Sequence, residues 1–492
     1  MDRHKSPPWG CYFTAEQVRA LDSAAMASGW DAFELMQRAG LSAWQYLRQC
    51  WPDARRIAVV LGVGNNAGDG YVLARHAALA GCHVDLLAVS QQPLRGAALQ
   101  AAQAANDLGL KLSLCHQVDL STYDVLVDAL LGTGARGSPR PVMAAAIAAI
   151  NSSRRPVLAL DLPSGIDADT GNIGGEVAVR ATHCISFVGA KRGLYTAQGD
   201  HHSGSVLVDD LGIEPDARIV RTCRVHDLIL PTWEPRQRSA HKGNYGHVLV
   251  LGGHQGMSGA AMLAARAAAR AGAGWVSVGA QATTVQALAL SSPEIMAREV
   301  EDDGDLELLL QRATRIVLGP GLGRDAWSER LYERALVSGL PLVIDADALH
   351  LLAAQSCRLP QAIMTPHPGE AAALLGMTSE QVQADRFSAA AALYERYGAI
   401  VVLKGNGTLI THAGGTAICR YGNPGMATAG MGDVLAGLIG ALWAQGLEAY
   451  EAAGRAVMVH ARTADKLSCR GERGLMASDL SENWQEELAL CR

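Results

Sequence analysis

Three predicted strand ends in the first half of the sequence carry oxygen-bearing side chains. Asn66 lies in the glycine-rich turn 62–70, Asp128 follows one β-branched run, and Asp161 and Ser164 follow the next. Ligands of parallel α/β sheets bind outside the carboxyl ends of the strands, so these side chains converge if the strands are neighbours. Amide, carboxylate and hydroxyl oxygens suit a hard cation rather than zinc. The alternative is that the two aspartates only cap loops or helices.

The glycine-rich turn Gly62–Gly70 follows a strand-like run and opens a helical segment. Its glycines permit positive φ and close backbone approach, and free N–H groups at a helix start favour an anion. The pattern also fits G-x-G-x-x-A, the dinucleotide fingerprint, with Asp85 as the ribose-binding acid. A conventional NAD dehydrogenase is nevertheless disfavoured, because Asp69 would oppose a pyrophosphate and Asp85 falls early in its strand.

A second candidate site lies in the segment NPGMATAGMGDVLAG, residues 423–437. Small residues lead into a long apolar helix, so the N–H groups of Ala429 to Gly432 would be bare and favour an anion. Asp433 lies in the first turn and can accept a proton from a substrate hydroxyl. An anion hole beside a carboxylate is what phosphoryl transfer to an alcohol requires. The alternative is an ordinary helix start in which Asp433 only partners the dipole.

Three further polar turns follow strand-like runs in the second half. They are GPGLG, TPHPGE and KGNGT, at residues 319–323, 365–370 and 404–408. His367 taken alone would more often be a satisfied loop histidine. The second half contains no Walker A sequence, which disfavours a P-loop NTPase.

The elements that position these residues alternate between short β-branched runs and Ala/Leu segments of helical period. The predicted strands are 56–62, 84–90, 123–132, 156–165, 247–253, 275–280, 315–323, 341–349, 362–370 and 399–408. The predicted helices include Tyr71–Ala80, Ala97–Leu108, and two closing helices at about 430–446 and 451–467. This alternation predicts parallel sheets with helices on both faces. The segment Thr222–Gly243, with two prolines and a basic cluster, breaks the rhythm and predicts a linker.

Length and composition exclude several classes of protein. The 492 residues suggest two or three domains, and 49% hydrophobic with 18% charged residues excludes disorder over most of the chain. A net charge of −6 offers no broad basic surface, so we expect no nucleic-acid partner. The apolar run Val434–Trp443 is far shorter than the ~20 residues that span a bilayer. The N-terminus MDRHKSPPWG lacks the apolar stretch of a signal peptide.

Ten cysteines are scattered from Cys11 to Cys491 without a CxxC pair. This usage suits a reducing cytosol and argues against both a disulfide framework and a zinc site. We therefore expect a cytoplasmic enzyme without a membrane partner.

The motifs GNNAGDG, DALLGTG and DLPSGID, taken together, resemble the N-terminal domain of the bifunctional NAD(P)H-hydrate repair enzymes over roughly residues 10–225. The resemblance implies an epimerase that interconverts the R and S forms of hydrated NADH and NADPH. It implies that Asp161 acts on the substrate and that Asn66, Asp128 and Ser164 bind K⁺. Ala67 stands where the family usually has glycine. The residues implied to hold the nucleotide are Asn65, Asn66, Ala67, Gly68, Asp69, Gly132, Thr133, Gly134, Ala135, Arg136, Gly137 and Ser138.

The motifs KGNYG, GMSGAA, GPGLG, TPHPGE, KGNGT and AGMGD resemble the ribokinase-like superfamily. They resemble more closely the ADP-dependent NAD(P)H-hydrate dehydratase domain of the same repair enzymes, over roughly residues 230–490. The resemblance implies phosphorylation of the hydrate hydroxyl by ADP with Asp433 as base, followed by loss of phosphate. The implied substrate contacts are Ala260, Gly321, Gly323, His367 and Asp433. The implied nucleotide contacts are Lys404, Gly405, Asn406, Gly407, Thr408 and Gly432.

We therefore predict two three-layer αβα domains, a Rossmann-like domain over 1–225 and a ribokinase-like domain over 226–492. The resemblance implies K⁺ and Mg²⁺ as cofactors, ADP as co-substrate, and the hydrates NADHX and NADPHX as substrates; we also expect a homo-oligomer. Two alternatives stay open. The second half could be a kinase of a small alcohol or vitamin, and the first half could bind nucleotide without catalysis.

Overall fold

The structure is a computed structural model of the chain and describes residues 7–90, 92–355, 357–469 and 471–490. Residues 1–6 and Cys491, which entered the sequence interpretation, lie outside the described residues. The chain divides into two compact units, with the division between Asp227 and Leu228. None of the described helices is long and apolar enough to cross a membrane.

The first unit contains eight described strands and seven described α-helices. The strands are β1 Arg56–Leu61, β2 His83–Ala88, β3 Leu112–Leu114, β4 Val125–Ala129, β5 Val157–Leu160, β6 His183–Phe187, β7 Ser205–Asp209 and β8 Val225–Asp227. The helices are α1 Ala15–Ala27, α2 Ala32–Cys50, α3 Asn65–Leu79, α4 Gly96–Asp107, α5 Pro141–Ser152, α6 Ala197–Ser203 and α7 Ala217–Thr222.

Seven strands of this unit form a parallel sheet in the order β3-β2-β1-β4-β5-β6-β7. Along β1, Ile57 and Val59 pack into one apolar core with residues of α2 and α3, whereas Ala58 and Val60 pack into a second core with residues of α5. Alternate residues of a strand point to opposite faces, so helices cover both faces. The first six positions in this order match the Rossmann order 3-2-1-4-5-6.

The second unit contains nine described strands and twelve described α-helices. The strands are β9 His247–Leu251, β10 Trp275–Ala280, β11 Met296–Glu299, β12 Arg315–Leu318, β13 Leu342–Ile344, β14 Ala362–Met364, β15 Ile400–Leu403, β16 Thr408–His412 and β17 Gly415–Cys419. The helices are α8 Ser258–Arg270, α9 Ala282–Ser291, α10 Asp303–Leu310, α11 Ala326–Val337, α12 Asp347–Ala353, α13 Pro368–Leu375, α14 Ser379–Ala384, α15 Arg386–Tyr397, α16 Met431–Ala444, α17 Ala449–Ser468, α18 Ala477–Asn483 and α19 Gln485–Leu490.

These strands are ordered β11-β10-β9-β12-β13-β14-β15-β16-β17. Pairing is parallel from β11 to β15, and then antiparallel through β16 and β17. The antiparallel hairpin departs from the all-parallel sheet that the strand–helix alternation predicts. Its cause is the short turn after His412, which joins β16 to β17 without the crossover that parallel pairing needs.

Helix α16 is buried along most of its length and positions the second candidate site. A Cβ on Gly437 would lie 2.0 Å from the carbonyl oxygen of Ala264 in α8, and one on Gly440 would lie 2.5 Å from Val317 in β12. Glycine at these positions therefore lets α16 lie directly against its neighbours, which fixes the start of the helix at the carboxyl ends of the strands.

Candidate active sites

The first candidate site is built on the adjacent strands β4 and β5. Asp128 lies within the carboxyl-terminal end of β4, and Ser164 follows β5. The Ser164 hydroxyl donates to Asp128 Oδ1 at 2.7 Å, and the Ser164 N–H donates to Asp128 Oδ2 at 2.8 Å. Burial raises the pKa of Asp128 to about 6, although the hydrogen bonds from Ser164 oppose the rise. The structure thus brings these two predicted metal ligands into direct contact.

Asn66, the third predicted metal ligand, lies in the first turn of α3 and is buried. Its Nδ2 donates to the Leu131 carbonyl oxygen at 3.0 Å, whereas its Oδ1 has no hydrogen-bond partner among the described residues. A buried acceptor without a donor is costly, and a bound cation would satisfy it. A Cβ on Gly132 would lie 3.2 Å from both Asn66 Cβ and Asp161 Oδ2, which places Gly132 between these side chains.

Asp161, the predicted catalytic residue, follows β5 with a φ of +68°. A non-glycine residue in this region stores strain, which is found most often at functional sites. Its Oδ2 accepts hydrogen bonds from the N–H of Thr133, at 2.9 Å, and from the Thr133 hydroxyl. Its Oδ1 is ion-paired with the buried Lys191, whose Nζ also donates to the Phe187 carbonyl oxygen at 2.7 Å. Burial alone would raise the pKa of Asp161, but Lys191 and Thr133 together hold the pKa below its ordinary value.

Two more carboxyl groups, those of Asp69 and Asp22, interact electrostatically with Lys191. Burial raises the pKa of Asp69 well above its ordinary value, and the charges of Asp161 and Asp22 raise it further. Burial likewise raises the pKa of Asp22, on α1, to about 6, with Lys191 opposing and Asp161 assisting. The sequence analysis argued that the charge of Asp69 would oppose a bound pyrophosphate. A protonated Asp69 would not repel this group, so that argument is weakened.

Neither Asp22 nor Lys191 was predicted from the sequence. Lys191 follows the buried strand β6 by four residues, so the strand-end argument used for Asp128 could have found it. Asp22 lies on a helix that begins at a Thr14 capping box, and no local pattern distinguishes it from a surface acid.

The predicted nucleotide residues of the turn 65–69 divide into an exposed and a buried set. Asn65 is exposed at the start of α3, whereas Ala67 and Gly68 are buried. The methyl group of Ala67 packs in the apolar core, so alanine is accommodated where the family usually has glycine. A Cβ on Gly68 would lie 2.4 Å from Met36 Sδ and 3.0 Å from the Cα of Ala98, so a larger residue here would require the Met36 side chain to move.

The predicted loop Gly132–Ser138 follows β4 and lines a pocket beside Asp161. Gly132, Ala135 and Gly137 line this pocket together with residues of the segment 162–174. In the same loop, Gly134, Arg136 and Ser138 are exposed. The loop therefore offers both a pocket wall and solvent-facing groups to a ligand.

Asp85 lies in the middle of β2 and away from the strand ends. Its Oδ2 accepts a hydrogen bond from the Tyr123 hydroxyl at 2.7 Å and lies 3.1 Å from His83 Nε2. This position differs from that of the ribose-binding acid in the dinucleotide fingerprint.

The second candidate site is centred on the start of α16. Gly430, with a φ of +88°, precedes the helix, and no side chain in the described part of the chain caps it. The first N–H groups of an α-helix have no intrahelical partner and attract anions. Asp433 lies in this first turn, and a Cβ on Gly432 would lie 3.1 Å from Lys404 Nζ. A cation, a carboxyl group and bare N–H groups therefore lie together.

Lys404 follows β15 and faces two buried carboxylates. Its Nζ lies 2.8 Å from Asp345 Oδ1 and 3.7 Å from Glu370 Oε2. Burial alone would lower the pKa of Lys404, but Asp345, Glu370 and Asp433 raise the pKa above its ordinary value. Lys404 therefore stays charged in the site. The sequence predicted Lys404 as a nucleotide contact but did not predict Asp345 or Glu370.

The electrostatic setting of Asp433 differs from that of Asp161. Burial and the neighbouring Asp345 raise the pKa of Asp433 to about 7, with Lys404 opposing and Glu370 assisting. A carboxyl group with a pKa near neutrality can both accept and release a proton under ordinary conditions.

His367 caps helix α13 and is not an isolated loop residue. Its Nδ1 accepts hydrogen bonds from the N–H groups of Gly369, at 3.0 Å, and Glu370, at 3.2 Å. In return, Glu370 Oε2 accepts from the His367 N–H at 2.7 Å. Burial and the charge of Lys404 lower the pKa of His367. The cap fixes His367 beside the Glu370–Lys404 pair.

The buried Arg386 stabilises the turn Lys404–Thr408 through hydrogen bonds to backbone carbonyl oxygens. The Arg386 guanidinium donates to the carbonyl oxygens of Leu403 at 3.3 Å and Gly407 at 3.1 Å, and also to that of Asn406. Burial lowers the pKa of Arg386 to about 10, so it stays charged. This supporting residue was not predicted, because nothing near it in the sequence marks its partners.

The remaining predicted contacts come from the start of α8 and from the turn that follows β12. A Cβ on Gly321 would lie 3.2 Å from the Cβ of Ala260, so these residues are neighbours. The Gly323 N–H donates to Asp347 Oδ2 at 2.9 Å, and Asp347 also contributes to the raised pKa of Asp433. The structure therefore links Gly323 to the second site through Asp347.

Comparison with known proteins matches the two units to two families. Residues 32–193 match the YjeF-related protein N-terminus family, and residues 248–486 match the NAD(P)H-hydrate dehydratase family. The second-unit fold resembles a ribokinase-like superfamily protein from Enterococcus faecalis, with a TM-score of 0.50, 28% identity, and coverage of 52% of this chain and 91% of that chain. The predicted Rossmann-like and ribokinase-like folds are confirmed.

Two relatives match over nearly their whole length. The bifunctional NAD(P)H-hydrate repair enzyme of Coxiella burnetii is 45% identical over 94% of this chain and 96% of its own length. The enzyme of the same name from Escherichia coli is 39% identical over 98% of this chain and 94% of its own length. The chain belongs to the family of bifunctional NAD(P)H-hydrate repair enzymes.

Proposed function

We propose that this enzyme repairs hydrated NADH and NADPH with two activities. The first unit interconverts the R and S hydrates, and the second unit dehydrates the S hydrate at the expense of ADP. The family membership of the chain supports both activities, and each unit contains a site with suitable groups. One observation carries the proposal: Asp433, with a pKa of about 7, lies at the uncapped start of α16 close to the charged Lys404.

In the second unit, the β-phosphoryl group of ADP is transferred to the hydroxyl oxygen of the hydrate, which releases AMP. Asp433 accepts the hydroxyl proton, and the N–H groups at the start of α16 with Lys404 stabilise the charge of the transferring group. Loss of the new phosphate and of a ring proton then regenerates NAD(P)H. Phosphate leaves far more readily than hydroxide, so a kinase-like site can perform a dehydration.

The proposed contacts in this unit are those that the family resemblance implies, and the geometry described above supports them. Ala260, Gly321, Gly323 and His367 would bind the hydrated nucleotide around Asp433. The turn Lys404–Thr408 and Gly432 would bind ADP, whose phosphates would carry Mg²⁺, since this ion is usually held through substrate phosphates and water.

In the first unit, Asp161 is the proposed proton acceptor. Epimerisation at the carbon that bears the hydroxyl and the ring nitrogen requires the carbon–nitrogen bond to break as the hydroxyl loses its proton and the nitrogen gains one. The bond then re-forms on the other face of the carbon with the reverse proton transfers. The ion pair with Lys191 keeps Asp161 ionised, so it can accept a proton, whereas Asp69 retains its proton more readily and can return one. Residues 65–69 and 132–138 would hold the nucleotide around these groups.

We infer that Asn66, Asp128 and Ser164 would hold K⁺ in the first unit. The free Oδ1 of Asn66 and the clustered oxygens of Asp128 and Ser164 suit a hard cation. The ion would supply positive charge beside the loop that lines the pocket. A cytoplasmic location and a homo-oligomeric state stay predictions, and the native mass of the purified protein tests the latter.

The test is an HPLC assay with a mixture of R and S hydrates, ADP and Mg²⁺. We expect Asp433→Ala to stop NADH formation while R/S exchange persists. We expect Asp161→Ala to halt consumption once the S hydrate is exhausted. A variant that keeps both activities would show that its residue has no such role. Accumulation of a phosphorylated product without NADH would instead identify a kinase.

A further inference from the structure

Two cysteines and a histidine from opposite ends of the first unit's sequence come together in its fold. Cys11 pairs with His226 across an antiparallel bridge, and Cys11 Sγ lies 3.7 Å from His226 Nδ1, although 215 positions separate the two residues. Cys223 joins them, and the two sulfurs and a ring nitrogen of His226 all lie within 4.8 Å of one another. Both thiols are buried, and His226 is half-buried. Three side chains therefore point toward one small volume.

The spacing of these atoms suits a tetrahedral metal ion. With Zn–S of about 2.3 Å and Zn–N of about 2.0 Å, neighbouring sulfur and nitrogen ligands of a tetrahedral site lie about 3.5 Å apart. The distance between Cys11 Sγ and His226 Nδ1 is close to this value. Thiolate and imidazole are soft ligands that select zinc over the hard cations proposed for the oxygen-lined site.

The existing contacts of the thiols leave room for this role. Cys223 Sγ lies 3.2 Å from the Tyr12 carbonyl oxygen and 3.1 Å from that of Val225. Thiols donate only weak hydrogen bonds, so these contacts are easily given up when the thiol loses its proton to a metal. Cys11 also contacts both Cys223 and His226 through side-chain hydrogen bonds, so the two thiols and the imidazole nitrogen already form one cluster.

We propose that Cys11, Cys223 and His226 bind one Zn²⁺ ion. The sequence analysis argued against a zinc site because CxxC spacing is absent. That expectation applies only to ligands close in sequence, whereas the fold brings together ligands from both ends of the first unit. This proposal does not depend on the proposed activities.

The position of the site indicates a structural role. The Tyr12 N–H donates to the Val225 carbonyl oxygen at 2.9 Å. The Phe13 N–H donates to the Ala190 carbonyl oxygen at 2.7 Å, and the Arg192 N–H donates to that of Phe13 at 3.0 Å. Tyr12 and Phe13 therefore connect the proposed zinc ligands to the segment around Lys191, and they lead into α1. A bound ion would therefore stabilise the attachment of the segment before α1 to residues 223–226.

The test uses the full chain, reduced, stripped of metal with a chelator and titrated with Co²⁺ as a spectroscopic probe. We expect one Co²⁺ per chain, with the thiolate charge-transfer band and strong visible bands of a tetrahedral site. Zn²⁺ should displace the cobalt and raise Tm, because a ligand that binds the folded state stabilises it. Cys223→Ser should abolish the charge-transfer band and the rise in Tm.

Cys115→Ser is the matched control, because Cys115 is also a buried cysteine of the first unit but lies outside the cluster. This variant should bind Co²⁺ as the wild type does. If Cys223→Ser does not fold by circular dichroism, His226→Gln takes its place and should weaken binding at least tenfold. A thiolate band that persists in Cys223→Ser, or a wild-type Co²⁺ affinity in His226→Gln, would overturn the proposal. The proposal would also be overturned if the wild type did not bind Co²⁺. A Cys11–Cys223 disulfide, found in protein whose free thiols were alkylated at lysis, would overturn it as well.

Discussion

The key carboxyl groups of the two candidate sites have opposite electrostatic settings. Asp161 is paired with the buried Lys191, which with Thr133 holds its pKa low despite burial. Asp433 lies near Asp345 as well as Lys404, and burial raises its pKa to about 7. The neighbouring charges thus keep Asp161 ionised. They also allow Asp433 to change its protonation state during the reaction.

Asp433→Asn should lower kcat for dehydration about 10²- to 10⁴-fold, the usual effect of losing a general base. Because Asp433 must be ionised to accept a proton, the wild-type rate should rise with pH through about 7. The rise should be absent from the variant. Absorbance of the NADH formed, measured across pH with the S hydrate, checks both effects. An unchanged pH profile in Asp433→Asn would assign the base to another residue.

Lys191→Met should destabilise the first unit by about 3 kcal/mol, because it leaves Asp161 without its partner in a largely buried site. The pKa of Asp161 should rise at the same time, which would slow epimerisation at neutral pH. Urea unfolding of the first unit gives the change in free energy. Lys111→Met, at an exposed lysine, should change stability by no more than about 0.5 kcal/mol. Equal losses in the two variants would contradict a buried ion pair.

At the level of elements, sequence periodicity predicted most of the long strands and helices. The strands β1 and β9 and the helix α16 lie within about two residues of their predicted bounds, whereas β15 ends at Leu403, well before the predicted residue 408. The predicted runs extended into the turns that follow, because each run included the glycine-rich or polar residues after its strand, such as Gly252 and Gly253 after β9. The antiparallel hairpin β16–β17 was missed, since pairing direction depends on turn geometry more than on composition.

The residues that complete the sites were harder to predict than the turns that carry them. Glycine-rich turns have local patterns, which is why Asn66 and Asp433 were found. Arg386 and Glu370 act through partners distant in sequence, and their types alone do not distinguish them from surface charges. The zinc ligands proposed above were missed for the same reason. Lys191 was missed although it follows a buried strand, where the strand-end argument could have found it.

Gly437→Ala tests the close packing of α16 on α8. Helix propensity alone would favour alanine by up to about 1 kcal/mol, but the added Cβ would lie 2.0 Å from the Ala264 carbonyl oxygen. We therefore expect a loss of about 1–3 kcal/mol from overpacking, with slower dehydration because Asp433 is one turn away. Thermal and urea unfolding measure the loss.

Gly259→Ala, in α8, is the matched control because its Cβ would meet nothing within 4 Å. It should be neutral or stabilising by up to about 1 kcal/mol. A Gly437→Ala variant as stable as Gly259→Ala would show that α16 does not need the close approach.

At the scale of the whole molecule, the chain joins two units, each with its own sheet, core and candidate site. The first unit contains an oxygen-lined cluster that suits a cation, and the second contains a helix start that suits a phosphoryl group. The two activities should therefore respond independently to changes in either site.

Asp128→Asn should weaken the K⁺ dependence of epimerisation, because it removes one carboxylate from the cation cluster. The initial rate of dehydration with purified S hydrate should be unchanged. HPLC of R/S exchange in K⁺ and in a large organic cation, such as tetramethylammonium, gives the comparison. Retention of the wild-type K⁺ dependence would place the cation elsewhere.

The most direct test of the central claim is a crystal structure of the enzyme with ADP and Mg²⁺. We expect the β-phosphate to contact the N–H groups of Met431 to Asp433 and the Nζ of Lys404, with Asp433 beside the phosphorus. A diphosphate bound elsewhere in the second unit, with the start of α16 empty, would contradict phosphoryl transfer at this helix.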